Sequence, residues 1–172
     1  VALAEYIAGS EAAFADLMNQ QAQRMGLENT HFVNATGLPH ENHYASARDL
    51  AILAKHIIQD YPEHYEIYSE KYFTYNDIRQ PNRNRLLWRN PSVDGLKTGH
   101  TEAAGYCLVA SAKQGDMRLI SVVVGTGSDE ARARETQKLL SYGFRFFETF
   151  KLYEKGAVLN ETRIWGGTKD TL

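Results

Sequence analysis

Two apolar, β-branched runs, Tyr106–Ala112 and Arg118–Gly125, face each other across Gln114-Gly115-Asp116. This pattern predicts a β-hairpin, and it constrains the fold more than any other stretch. Ser128-Asp129-Glu130 then opens a long helix, with the acidic pair placed favourably at its positive end. Leu139, Leu140, Phe144, Phe147 and Phe150 recur as its apolar side. A third strand is expected around residues 93 to 101, just ahead of the hairpin. The sum is an α+β domain in which an antiparallel sheet is flanked by helices.

The N-terminal third is expected to add helices. Residues 1 to 25 read as helix with a weak point at Gly9-Ser10, and Gly26 ends the run. Phe14, Leu17, Met18, Ala22 and Met25 stand at helical spacing. Residues 27 to 45 read as loop. Ser46 with Asp49 gives a capping-box signal for a helix to about Gln59, with Leu50, Ala54 and Ile57 on its buried face. Residues 65 to 90 alternate aromatic and polar groups around Tyr65–Asn76 and predict short strands. After Lys151 the texture changes, and Val158–Trp165 reads as a strand. Residues 1–150 are therefore expected to form one domain, and 151–172 the truncated start of a second, β-rich one.

Composition narrows the function classes. The chain has 172 residues, 43% of them apolar and 23% charged, as in ordinary globular proteins. A net charge of −2 argues against general nucleic-acid affinity. No apolar run is long enough to span a bilayer. The single cysteine, Cys107, permits no internal disulfide. The first residue is Val, and Val1-Ala2-Leu3-Ala4 reads as the middle of a helix, so a preceding segment is expected.

The chemistry concentrates in Lys97-Thr98-Gly99, on what should be a sheet edge. An edge strand has free N–H and C=O groups that pair with an extended peptide. Gly99 lets a substrate backbone come close. Lys97 supplies a compact positive charge, and Thr98 a hydroxyl suited to a carboxylate. The His100 backbone N–H points to where an oxyanion would form. The tripeptide alone is a weak signal, for which a solvated strand end is the plain alternative. A phosphate-binding P-loop is excluded, because Leu96 and not Gly precedes Lys97.

The surroundings of the tripeptide are more specific. Val93-Asp94-Gly95-Leu96-Lys97-Thr98-Gly99-His100-Thr101 leads into Ala103-Ala104-Gly105-Tyr106. With Phe32–Leu38, Ala47–Ala51, Asn82–Trp88 and Leu139–Phe147, this resembles the low-molecular-mass penicillin-binding proteins of the serine D-alanyl-D-alanine carboxypeptidase family over nearly the whole chain. The resemblance implies a β-lactamase/transpeptidase-like fold. It also implies a Ser-x-x-Lys nucleophile and a Ser-x-Asn triplet, yet no serine here is followed by Lys at the third position or by Asn at the second. The chain is expected to begin a few residues after that triplet, and to lack the family's C-terminal amphipathic anchor.

The resemblance also assigns roles. Lys97 and His100 serve catalysis: Lys97 shuttles protons and holds a positive field, and the His100 N–H forms half of an oxyanion hole. Thr98 and Arg132 bind the terminal carboxylate, Gly99 admits the substrate backbone, and Arg83 is a second site arginine. The implied partners are peptidoglycan stem peptides ending in D-Ala-D-Ala, β-lactam antibiotics and the missing N-terminal part of the same protein. The implied location is periplasmic, peripheral to the inner membrane through the missing anchor. No metal or organic cofactor is implied.

Other readings remain open on the residues alone. His40-Glu41-Asn42-His43 lacks the spacing of a zinc helix and reads as an exposed loop. Arg79, Arg83, Arg85 and Arg89 near Trp88 suggest RNA binding or, more simply, a solvated face with one arginine turned to the site. Cys107 reads as a buried packing residue. Arg132 has a surface salt bridge as its alternative role. For the whole chain the rivals are a non-catalytic module that holds D-Ala-terminated peptide, and a related endopeptidase or β-lactamase.

Overall fold

The computed structural model describes residues 1–163, 165 and 166. At the N-terminus the expected weak point is a full break, giving α1 (Ala2–Ala8) and α2 (Glu11–Arg24). Gly9 takes a left-handed φ of 82°, which a side chain would disfavour. Ser10 then caps α2, its hydroxyl accepting the Ala13 N–H at 3.1 Å. On α2 Ala15 and Ala22 are buried while Leu17 is exposed, so its inner face is narrower than the spacing suggested.

The loop after α2 contains one small ladder, β1 (Thr30–His31) against β2 (Tyr44–Ala45). Helix α3 (Ala47–Asp60) starts where the capping signal placed it, with Ser46 Oγ accepting the Asp49 N–H at 3.1 Å. The Asp49 carboxylate does not complete a capping box. It accepts from Asn29 N–H and Thr30 Oγ1, both at 2.7 Å, and ties α3 to β1. These hydrogen bonds, that from Thr30 first, hold the Asp49 pKa below its ordinary value.

The strands expected from Tyr65 begin later. Helix α4 (Pro62–Tyr65) and a 3₁₀ turn (Glu66–Ser69) precede the hairpin of β3 (Tyr72–Tyr75) and β4 (Ile78–Pro81). Pro62 at the first helical position explains the early helix. A second helical turn, α5 (Leu86–Arg89), buries Leu86 and Leu87. Strands β5 (Val93–Thr101), β6 (Gly105–Gln114) and β7 (Met117–Thr126) form an antiparallel sheet in that order, with Gly115-Asp116 as the turn of the predicted hairpin. Helix α6 (Asp129–Phe146) follows, capped by Ser128.

Alternation along the strands makes three layers. Leu108, Ala110 and Ala112 of β6 pack with Val93, Leu86, Leu87 and, from α6, Ala133 and Leu140. Val109, Leu96, Ile120 and Val122 point the other way and meet Ala54, Leu50 and Ile57 of α3. This is the expected helix-flanked antiparallel sheet. The apolar side of α6 is shorter than its spacing predicts: Leu140 is 1% exposed and Phe144 packs on the core, but Leu139, Phe147 and Phe150 are exposed. The helix stops at Phe146, and so does the core beneath it. Residues Phe147–Thr162 form no helix or strand, so the strand expected over Val158–Trp165 does not form there, and Ile164 lies outside the described residues. No helix among the described residues is long and apolar enough to cross a membrane.

Candidate active site

Strand β5 lies at one edge of the sheet and carries Lys97, Thr98, Gly99 and His100 opposite Val109, Leu108, Cys107 and Tyr106 of β6. Its outer side opens onto a groove of about 1140 Å³. Lys97, Thr98, Gly99, His100, Arg83 and Arg132 all line it. The six residues to which the resemblance gave site roles therefore meet at one place, although they come from β5, the segment after β4 and α6.

Arg132 reaches the groove from the first turns of α6. Arg132 is 7% exposed; its Nη1 donates to Gly99 O at 3.0 Å and to Cys107 O at 3.5 Å, and its Cζ sits 5.5 Å from the Tyr106 ring centroid. No carboxylate pairs with it among the described residues, and it is buried where a surface salt bridge would leave it exposed. Arg134, two positions on, faces solvent and pairs with Glu135 at 3.0 Å.

Charge pairing also sorts the four arginines near Trp88. Arg79 stacks on Tyr72, its Cζ 3.6 Å from the ring centroid. Arg85 pairs with Asp129 at 2.8 Å and Arg89 with Glu130 at 2.7 Å. Arg83 has no such partner among the described residues and faces the groove. Lys97, Arg83 and Arg132 thus form a positive cluster with no ion-pair partner among the described residues. Lys97 is exposed as a residue, but packing crowds its ammonium, which donates to Thr98 O. Desolvation first, then the charges of Arg83 and Arg132, lower the Lys97 pKa. A groove of this kind holds an anion against an edge strand and favours a lysine that gives up its proton readily.

The base of β5 is held by groups to which sequence reasoning gave no role. Asp94 accepts from Tyr65 Oη at 2.7 Å and pairs with Arg118 at 2.7 Å. Asn84, 1% exposed, donates to Gly95 O at 3.0 Å. A Cβ at Gly95 would lie 2.5 Å from Tyr65 Oη, so only glycine fits there. The asparagines of Asn82-Arg83-Asn84 stand just ahead of a buried Leu-Leu pair, which was the available signal. Cys107 is half-buried and lines the groove, instead of lying fully packed, because Gly99 opposite offers no side chain to cover it. In the exposed loop, His40 and His43 accept local N–H groups from Asn42 and Val33 at 3.1 and 3.3 Å.

Residues 1–128 match the family model described as Peptidase S11, D-alanyl-D-alanine carboxypeptidase. The chain belongs to this family. It is 54% identical over 170 residues to D-alanyl-D-alanine carboxypeptidase DacC of Escherichia coli K12, covering 98% of this chain and 42% of that protein. The structure of penicillin binding protein 5 from Haemophilus influenzae superposes with a TM-score of 0.91 at 53% identity, over 99% of this chain and 50% of that one. Penicillin-Binding Protein D2 from Listeria monocytogenes, solved in a cefotaxime-bound form, gives a TM-score of 0.72 at 36% identity, over 77% of this chain and 56% of that one. The chain thus spans 42% of DacC and half of the Haemophilus structure. These neighbours bear out the β-lactamase/transpeptidase-like fold expected from the motifs.

Proposed function

We propose that this chain is the substrate-strand portion of a serine-type D-Ala-D-Ala carboxypeptidase that trims peptidoglycan stem peptides and is acylated by β-lactams. The observation that carries this function is the cluster of Lys97, Arg83 and Arg132, without acidic partners among the described residues, along an edge strand bearing Thr98 and Gly99. The extended stem peptide adds to β5 through main-chain hydrogen bonds. Its terminal carboxylate is held by Arg132 and Thr98, with Arg83 adding to the field. A serine oxygen attacks the carbonyl carbon of the penultimate D-Ala, and the oxyanion is stabilised by the His100 N–H and the nucleophile's own N–H. The C–N bond breaks, the terminal D-Ala leaves as an amine after taking a proton, and water then hydrolyses the serine ester. Lys97, with its lowered pKa, supports the proton transfers.

The nucleophile comes from a Ser-x-x-Lys that the 172 residues do not contain. The cefotaxime-bound form of the Listeria protein supports β-lactams as ligands. We place the intact enzyme in the periplasm and its domain boundary near Lys151. The test is release of free D-Ala from a peptide ending in D-Ala-D-Ala by the intact protein. Binding of that peptide without release would instead identify a non-catalytic module.

A further inference from the structure

We propose that Asn84 is a positioning residue: its buried amide clamps the turn carrying Arg83 to the strand carrying Lys97 and so fixes the spacing of these two cations. The proposal rests on the carboxypeptidase function above. Arg83 has no ion-pair partner among the described residues and faces two like charges, Lys97 and Arg132, across the groove. Repulsion would drive an exposed arginine outward unless its backbone were held. Asparagines on both sides hold it. Asn84 Nδ2 donates to Gly95 O at 3.0 Å, two residues before Lys97, and its Oδ1 accepts the Leu86 N–H at 3.2 Å. The Asn84 N–H in turn donates to Asn82 Oδ1 at 2.9 Å, and Asn82 Nδ2 donates to Glu70 O at 3.0 Å.

The amide is specific to this task. An apolar residue would fill the same space but lose the bonds to the Gly95 carbonyl and the Leu86 N–H in a buried site. Aspartate keeps the shape but turns an acceptor toward an acceptor. Tyr65 leaves no room for a Cβ at Gly95, so the strand base is closely packed there as well.

The test is a double-mutant cycle in the intact protein, with kcat and KM measured on a D-Ala-D-Ala peptide and folding checked by thermal melting. Asn84→Ala should raise KM roughly tenfold, but change it less than twofold in an Arg83→Gln background. Asn84→Ser, which retains a short donor, should recover part of the loss. Should Asn84→Ala fail to fold, Asn82→Ala, at the less buried end of the same clamp, carries the same prediction. Equal fold-changes with and without Arg83, or a lower melting temperature with KM unchanged, overturn the proposal. A wild type that neither releases D-Ala nor reacts with penicillin removes the carboxypeptidase function and this role together. An active wild type with additive variants removes only the role of Asn84.

Discussion

Replacing Arg132 by methionine separates its binding role from its structural one. Methionine keeps most of the buried aliphatic stem. It removes the hydrogen bonds to Gly99 O and Cys107 O, but also the cation of a residue that is 7% exposed, has no carboxylate partner among the described residues and shares the groove with two like charges. These effects oppose each other, so thermal stability should stay within about 1.5 kcal/mol of wild type and can rise. Turnover should not survive as well. A hydrogen bond between charged groups contributes about 1.5–3 kcal/mol, which corresponds to a loss of roughly 10- to 150-fold in kcat/KM. The assay compares, in the intact enzyme, a D-Ala-D-Ala peptide with the same peptide bearing a C-terminal amide. The acid substrate should lose its advantage while the poor amide substrate barely changes. An equal loss on both substrates, or none, would refute the assignment of Arg132 to the terminal carboxylate.

Further outcomes follow from packing and charge. Arg83→Gln removes a neighbouring cation from Lys97, so the Lys97 pKa should rise and the limb of the pH–rate profile that it governs should move to higher pH. Leu140→Ala on α6, at a site 1% exposed, should cost about 2–5 kcal/mol in denaturant unfolding. Gly95→Ala should impair folding, because the new methyl meets the rigid Tyr65 ring at 2.5 Å from Oη, and small-to-large changes of this kind cost roughly 1–3 kcal/mol. The Asp49 pKa is lowered on folding, so its contribution is complete above the unfolded carboxylate range and is lost as pH falls through the folded value; Asp49→Asn should flatten the acid limb of a melting-temperature profile.

Much of the fold is written locally. The Gly115-Asp116 turn, the caps Ser46 and Ser128, and the apolar faces of α3 and the strands work through neighbours a few residues away, and these were legible. Gly9-Ser10 was seen as a weak point; a left-handed glycine followed by a capping serine makes it a full break. What escaped depends on distant partners. Nothing in the order of Arg79, Arg83, Arg85 and Arg89 says which of them is neutralised, because the acids that pair with two of them belong to α6. Asn84 reads as an ordinary loop polar residue until Gly95 is seen to be its acceptor. Phe147 and Phe150 keep the helical spacing past the point where α6 ends, so periodicity alone cannot show that they have left the core.

In the proposed function this groove serves an acyl-enzyme formed on a serine outside the 172 residues. The most direct measurement is to label the intact protein with fluorescent penicillin and map the modified peptide by mass spectrometry. The adduct should fall on a serine followed three residues later by lysine, and a D-Ala-D-Ala peptide should slow its formation. Absence of labelling, or an adduct on a residue within Val1–Leu172, would contradict an acyl-enzyme of this kind.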